Sequence, residues 1–317
     1  MIYLRILKRF DRGHLLLTVW LIATTVFLTV LYRPLVASLF SKGFEILWGD
    51  FGTTYPLGGL LLVVVFLLLQ WHEIHTVLAA EDPSLHLFIR LVGLSLSLMP
   101  LGLMAYFDST TRVYFLPLAV TIMVVVSYGL ALIVKPAVWR VLLPYALLAV
   151  ATILPPIYLQ ALIGESFAYL ATSLTRLFTA VISIPAFWSG NAVRVWTSTN
   201  EAMTIEITSG CSSISSLTLY LLLCGLMHLD LEKKFVQTLS LAVSGVLVLI
   251  VLNAVRITVL IWAGYTYGVE AMLGLHSWLG VAIFSGFYTC ATLVYLRWGS
   301  VERVQASRYV TMHVGSR

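Results

Sequence analysis

Long apolar runs separated by short polar stretches dominate the chain from beginning to end. Eight of these runs approach or exceed the roughly 20 residues that a helix needs to cross a ~30 Å hydrocarbon layer. They lie at residues 15–32, 57–78, 86–107, 113–134, 141–163, 211–230, 235–256 and 276–296. The pattern predicts an all-α polytopic membrane protein with about eight transmembrane helices, in which residues 1–317 form a single integral membrane domain.

The longest interruption, residues 164–210, lies between the fifth and sixth runs. Its first half, ESFAYLATSLTRLFTAVISIPAFW, is apolar but broken by Arg176, which is typical of an interfacial or re-entrant helix. Its second half, VRVWTSTNEAMTIEITSG, alternates apolar and polar residues and predicts a short hairpin. Because polar backbone cannot face lipid, we expect this loop to lie outside the membrane or to roof a cavity.

Composition and charge support the membrane assignment and orient the spans. Hydrophobic residues make up 60% of the chain and charged residues 10%, against about 25% charged in soluble domains. With the basic N-terminus inside, 13 of the 19 lysines and arginines fall on the cytoplasmic side, as the positive-inside rule requires. We expect both termini in the cytoplasm, the long loop outside, membrane lipid as the surroundings and no nucleic-acid partner. The span count depends on residues 71–90, where no strong positive cluster fixes the topology.

Three chemically reactive side chains are predicted to share one depth. Cys211, Arg256 and His276 lie 22, 22 and 21 residues from the basic residues that mark the cytoplasmic ends of the last three spans. At 1.5 Å per helical residue, each interval is about 32–33 Å, one hydrocarbon thickness. Because these spans are consecutive, the three side chains are expected to meet at the outer boundary.

The residue types at this depth are those that acyl transfer needs. A thiolate is the nucleophilic form of cysteine, and a helix N-terminus and a nearby cation both favour it. Cys211 is predicted to open its span, with Ser209 or Thr208 as N-cap. His276 is also predicted to open its span and could exchange a proton near neutral pH, while Arg256 could hold an oxyanion.

Neighbouring polar residues could support these three groups. Asn253 precedes Arg256 by three residues, hence lies on the same helical face, and could orient it. Ser212 and Ser213 could form small polar walls that allow a substrate backbone to approach closely. Arg176, Arg194 and Glu206, in the predicted outer loop, are candidates for binding the substrate. No cofactor or metal is expected, because WHEIH at 71–75 lacks the spacing of a zinc site.

The ordered motifs GCSSI at 210–214, NAVRI at 253–257 and LHSWLG at 275–280 resemble those of the exosortase and archaeosortase family. The resemblance implies a membrane-embedded cysteine transpeptidase of the prokaryotic cytoplasmic membrane, with an extracytoplasmic active site. Its partners would be exported proteins with a C-terminal tripartite sorting signal: a short motif such as Pro-Glu-Pro, a transmembrane helix and a basic tail. Cleavage would proceed through a thioester, and the acyl group would pass to another nucleophile.

Carried over by position, the resemblance makes Cys211 the nucleophile, Arg256 the transition-state stabiliser and His276 the general acid/base. It defines residues 205–297 as the catalytic three-helix portion. One position departs from the family pattern: the family commonly has glycine after Cys-Ser, and Ser213 stands there in this chain. This departure bears on the substrate motif more than on the chemistry.

Two other classes of function remain open at this level. A transporter or flippase could use Arg256 and His276 to line a pathway, although the last three spans become almost entirely apolar toward the cytoplasm. A non-catalytic partner of a polysaccharide or secretion system would need no thiol. Cys224 and Cys290 lie inside apolar runs and are interpreted as inert.

Overall fold

Helices form most of the described chain and largely follow the apolar runs of the sequence. The computed structural model describes residues 2–33, 51–79, 86–104, 115–198, 200–211, 213–231 and 233–298. The backbone divides into two compact units, Met1–Ala161 and Leu162–Arg317. Every residue predicted for the site belongs to the second unit.

The first unit is a set of packed helices. Its elements are α1 (Ile2–Leu31), α2 (Phe51–Leu69), α3 (Trp71–Ala79), α4 (His86–Met104), α5 (Phe115–Val134), a 3₁₀ turn (Pro136–Val138) and α6 (Trp139–Ile153). Close approach of α4 and α5 depends on Gly93 and Gly129, because a Cβ on either would lie 2.6 Å from the carbonyl oxygen of the other. Small residues allow such contacts between helices that lipid surrounds.

The membrane-protein prediction is confirmed, but the count of eight spans is not. Within the described residues, five segments are long and apolar enough to cross a membrane, and a sixth if one bent pair counts as a single span. The five segments are Pro117–Val134, Pro136–Ile153, Ser209–Asp230, Phe235–Tyr267 and Val269–Arg297. The bent pair, Leu57–Leu69 and Trp71–Leu78, turns by 66° inside the predicted second span.

Prolines divide the predicted fifth span, 141–163. Helix α6 ends at Ile153, and α7 begins at Pro155 and continues to Val181. Proline has no N–H to continue the helical hydrogen bonds of the preceding turn, but it is well suited to the first turn of a new helix. The expected re-entrant helix is therefore not a separate element, because its apolar segment continues α7 up to Val181.

The predicted hairpin is present as the second and third strands of a three-stranded antiparallel sheet. Its strands are β1 (Ala186–Ser189), β2 (Ala192–Trp196) and β3 (Ala202–Glu206), in the order β1-β2-β3. Gly190, with φ 58°, supplies the left-handed conformation that a two-residue connection between β1 and β2 requires. The hairpin prediction missed β1, whose residues were assigned to the apolar segment.

Three helices follow the sheet and pack against one another: α8 (Ile214–Asp230), α9 (Phe235–Tyr267) and α10 (Val269–Arg297). The Tyr220 hydroxyl on α8 donates to the Leu241 carbonyl on α9, 2.7 Å. The Tyr288 hydroxyl on α10 donates to the Ser216 carbonyl on α8, 2.8 Å. These bonds satisfy buried polar groups and fix α8 against both neighbours.

Helix α9 extends well beyond the predicted end of its span at 256, and its extra turns carry the sheet. The inner face of the sheet, with Val193 and Val195, packs in one apolar cluster with Ile257 and Ile261 of α9. Ser198 donates its N–H to the Tyr265 carbonyl, 2.9 Å. No proline interrupts α9, although Gly245 and Gly264 lie within it, and the helix ends at Gly268, at φ 89°.

Candidate active site

Cys211 lies at the entrance to α8, five residues after the last strand of the sheet. It ends the 3₁₀ turn Ser209–Cys211, in which its N–H donates to the Thr208 carbonyl, 2.9 Å. The Thr208 hydroxyl lies 4.0 Å from Sγ, and the cysteine is partly buried. The thiol is therefore carried by a hydrogen-bonded turn just before the positive end of the α8 dipole.

The N-cap of α8 is Ser213, so the predicted capping by Ser209 or Thr208 is wrong. Ser213 has the left-handed conformation φ 60°, ψ 9°, and its side chain forms no capping hydrogen bond. This conformation costs a residue with a Cβ roughly 1–2 kcal/mol, and glycine adopts it readily. The backbone geometry explains why glycine suits this position and shows that serine is accommodated there at a cost.

Asn253 contacts Cys211 directly. Its Nδ2 donates to the Cys211 carbonyl, 2.8 Å, across a separation of 42 residues. The Asn253 side chain is 1% exposed, and its Oδ1 has no hydrogen-bond partner among the described residues. The bond holds the backbone of the cysteine against α9, whereas the sequence predicted that Asn253 would orient Arg256.

Arg256 is buried one turn after Asn253. It is 6% exposed, and its Cζ lies 5.9 Å from the centroid of the Phe284 ring. The guanidinium lies against Gly280 of α10, where a Cβ would be 3.6 Å from Cζ, Nε and Nη1. Its Nε is buried with no hydrogen-bond partner in the described part of the chain. A buried cation with an unused donor is costly in a membrane protein and is typical of a functional site.

His276 is partly buried on α10, in the second turn of the helix. The prediction that it opens its span is wrong, because α10 begins at Val269, directly after Gly268. Gly280 follows His276 by four residues, so the two lie on the same face about 6 Å apart along the helix axis. His276 therefore lies one turn from the residue that the Arg256 guanidinium contacts.

These contacts link the three positions that the sequence predicted to share one depth. Asn253 joins the Cys211 turn to α9, and Arg256 joins α9 to α10 beside His276. Ser212 lies outside the described residues. Through these contacts the Cys211 turn and the Arg256 guanidinium belong to one set of packed elements, formed by α8, α9 and α10.

The proposed substrate-binding residues lie on the sheet and its supporting helix. Arg176 on α7 is exposed and places its Cζ 5.3 Å from the centroid of the Trp188 ring in β1. Arg194 in β2 is exposed over Trp196, at 5.4 Å. Glu206, also exposed, ends β3. Arg194 and Glu206 lie on the outer face of the sheet, while Arg176 contacts a residue of its inner face.

The contacts of the Arg256 guanidinium with Gly280 and Phe284 were not predicted from the sequence. A signal was present in LHSWLG, because its last glycine lies four residues after His276 and thus on the same helical face. The strand β1 also had a signal, the Ser-Gly-Asn sequence before VRVW, which is typical of a tight turn.

Other histidines and cysteines lie apart from Cys211, Arg256 and His276 along the chain. In the described ranges, no group of three His, Cys, Asp or Glu residues could hold a metal ion. The ring of His75, within WHEIH, lies 6.1 Å from the ring of Trp71, centroid to centroid, and is tilted against it by 53°. Cys224 is buried and Cys290 is exposed; they follow Cys211 and His276 by 13 and 14 residues, which is about 20 Å along a helix.

Comparison with known proteins identifies one related family. The family model described as transmembrane exosortase (Exosortase_EpsH) matches residues 48–295. The match covers well over half of the chain and includes Cys211, Arg256 and His276. No curated protein and no solved structure matches the chain.

Proposed function

Because the chain belongs to the transmembrane exosortase family, we propose that it is a membrane-embedded cysteine transpeptidase. It cleaves the C-terminal sorting signals of exported proteins on the extracytoplasmic side of a prokaryotic cytoplasmic membrane. The signal consists of a short motif, a transmembrane helix and a basic tail. Residues 205–297 form the catalytic portion, and both termini lie in the cytoplasm.

The observation that carries the proposal is the hydrogen bond that joins the Cys211 backbone to the face of α9 on which Arg256 lies. The hydrogen bond from Asn253 fixes the Cys211 backbone at 2.8 Å, and Arg256 follows one helical turn later with an unused buried donor. An unpaired donor on a buried charge is costly, so the unused Nε of Arg256 supports a functional role for this residue. Pre-positioned donors of this kind stabilise the charge that develops in acyl transfer.

The residues divide the reaction between them. The Cys211 thiol transfers its proton to His276, and Sγ attacks the carbonyl carbon of the scissile peptide bond. Arg256 stabilises the tetrahedral oxyanion. When the C–N bond breaks, His276 returns the proton to the leaving amine, and the acyl group stays on Sγ as a thioester. An amine, hydroxyl or water then attacks the thioester, and the thiol is regenerated.

Selective labelling of Cys211 tests its side of the membrane and its accessibility. A charged, membrane-impermeant maleimide applied to intact cells is expected to modify Cys211 and to spare Cys224 and Cys290. Cys224 is buried, and Cys290 is exposed on a helix long and apolar enough to span the membrane, where a charged reagent does not enter. Single-cysteine variants compared by gel shift provide the measurement. Labelling of Cys211 only after the membrane is opened would contradict the proposed orientation.

Removal of the Asn253 side chain is expected to impair processing by loosening the nucleophile. Asn253→Ala leaves the Cys211 carbonyl without its donor, and the loss of one such bond corresponds to roughly a tenfold fall in processing rate. Thr258→Ala is the matched control, since Thr258 is buried on the same helix but bonds the Ala254 carbonyl. Processing and thermal unfolding are measured for both variants. Equal processing by the two would show that Asn253 does not position Cys211.

A further inference from the structure

One edge of the three-stranded sheet is open and leads directly to the candidate nucleophile. In the order β1-β2-β3, the strand β3 is an edge strand, and Cys211 follows its last residue, Glu206, by five positions. Five residues of chain span at most about 18 Å. A peptide lying along β3 therefore needs only a few further residues to reach Sγ.

The main-chain groups at this edge can be identified from the strand pairing. The bonds from Ile207 N–H to the Asn191 carbonyl and from Thr197 N–H to the Glu201 carbonyl, both 2.9 Å, mark the hydrogen-bonded pairs at the two ends of β2–β3. Hydrogen-bonded pairs alternate along an antiparallel ladder. The N–H and C=O groups of three β3 residues consequently point away from β2. These residues are Ala202, Thr204 and Glu206.

Nothing in the described part of the chain occupies these outward groups. Residues 202, 204 and 206 are all exposed, and none of their main-chain groups forms a hydrogen bond outside the sheet. Proteins protect an edge strand with lysine, proline or a bulge. The sequence of β3, AMTIE, has neither lysine nor proline, and it pairs with β2 in regular register. The edge is therefore competent to accept another strand.

The strand is also held rigidly to the helix that carries the candidate site. Ser198, between β2 and β3, donates to two carbonyls at the end of α9: its N–H to Tyr265 and its hydroxyl to Thr266, each 2.9 Å. Met203 packs against Gly264, where a Cβ would lie 2.5 Å from the methionine Cε. Because α9 also carries Asn253 and Arg256, one helix sets the position of both the open edge and the buried cation.

We propose that β3 binds the extended sorting motif of the substrate as a fourth strand of the sheet. This inference rests on the proposed function and adds how the substrate is held. A peptide bond can enter an active site only when the surrounding segment is extended. An extended segment presents N–H and C=O groups that can pair with the outward main-chain groups of β3. Main-chain pairing supplies affinity and register, and alternate side chains of the motif meet the outer face of the sheet, where Arg194 and Glu206 lie.

The substitution Thr204→Pro tests main-chain pairing. Proline removes an N–H that points outward, so the β2–β3 ladder keeps all its bonds and the strand conformation is retained. Thr204→Val keeps the N–H and is the matched control. The probe is an exported reporter fused to a C-terminal sorting signal encoded in the same genome. We expect Thr204→Pro to process about five- to tenfold more slowly than Thr204→Val, as loss of one main-chain hydrogen bond predicts. Equal processing by both variants would overturn the proposal.

Disulfide trapping gives a second readout that does not depend on catalysis. Thr204→Cys is combined with Cys211→Ala and Cys290→Ser, and single cysteines are placed along the reporter motif. Strand addition predicts disulfides at alternate motif positions, because alternate side chains share one face. A pattern without this alternation, or disulfides only between two copies of the enzyme, would overturn it. If Cys211→Ala still processes the reporter, the proposed function fails, and the trapping pattern alone decides whether β3 binds the motif.

Discussion

Replacement of Cys211 by alanine is expected to abolish processing of a reporter that carries a C-terminal sorting signal. The proposed reaction has no covalent step without Sγ, so the rate should fall by at least about a thousandfold, as when other enzymes lose their nucleophile. Cys211→Ser should be equally inactive, because a serine hydroxyl is un-ionised near neutral pH and is a much weaker nucleophile. Processing is measured by immunoblot as loss of the C-terminal segment.

Two features of the structure make this experiment interpretable. Cys211 is partly buried in a turn, so alanine removes one sulfur without opening a large cavity, and membrane insertion should be unaffected. Cys224→Ala and Cys290→Ala are the controls and should retain processing. Full activity of Cys211→Ala would refute the enzyme assignment. It would favour the transporter or the non-catalytic partner, neither of which needs a thiol.

Arg256→Lys is expected to lower processing by roughly 10²–10³-fold, as loss of a main oxyanion donor does in other enzymes. Lysine keeps the positive charge but lacks Nε and the planar fork of donors. In the structure the guanidinium lies against Gly280, and its Cζ is 5.9 Å from the centroid of the Phe284 ring, contacts that a tetrahedral ammonium cannot reproduce. The defect should appear in the rate at which the bound reporter is processed more than in binding of the reporter.

The control for Arg256→Lys is Arg140→Lys, because Arg140 is exposed on α6 of the first unit, has no role in the proposed site and should change processing much less. Thermal unfolding of both variants separates catalysis from folding. Wild-type processing by Arg256→Lys would show that charge alone suffices at this position and that the Nε donor has no role. A loss of processing that tracks loss of folded protein would make Arg256 a structural residue.

The amino-acid sequence by itself determined the class of protein and predicted the residues of the candidate site. Its apolar runs predicted a helical membrane protein, because only a helix satisfies its own backbone hydrogen bonds in lipid. The nearly equal spacing of Cys211, Arg256 and His276 from basic residues predicts that they lie at one depth. The three motifs around them predicted the family, and that prediction is confirmed over residues 48–295.

The limits of the helices could not be obtained from apolar runs. In lipid, core-facing and lipid-facing positions are both apolar, so hydropathy does not mark where a helix bends or how far it continues. The predicted span at 141–163 is divided at Pro155, and the span predicted to end at Arg256 continues to Tyr267. That extension supports the sheet, and only packing between distant segments revealed it.

Tertiary structure alone decided how the candidate site is held together. The bond between Asn253 and the Cys211 carbonyl joins residues 42 positions apart, and the left-handed backbone at Ser213 is set by the chain that enters α8. The contact of Arg256 with Gly280 depends on how closely α9 approaches α10. Residue spacing fixes depth along a helix axis, whereas rotation and separation of helices depend on side chains that meet only after folding.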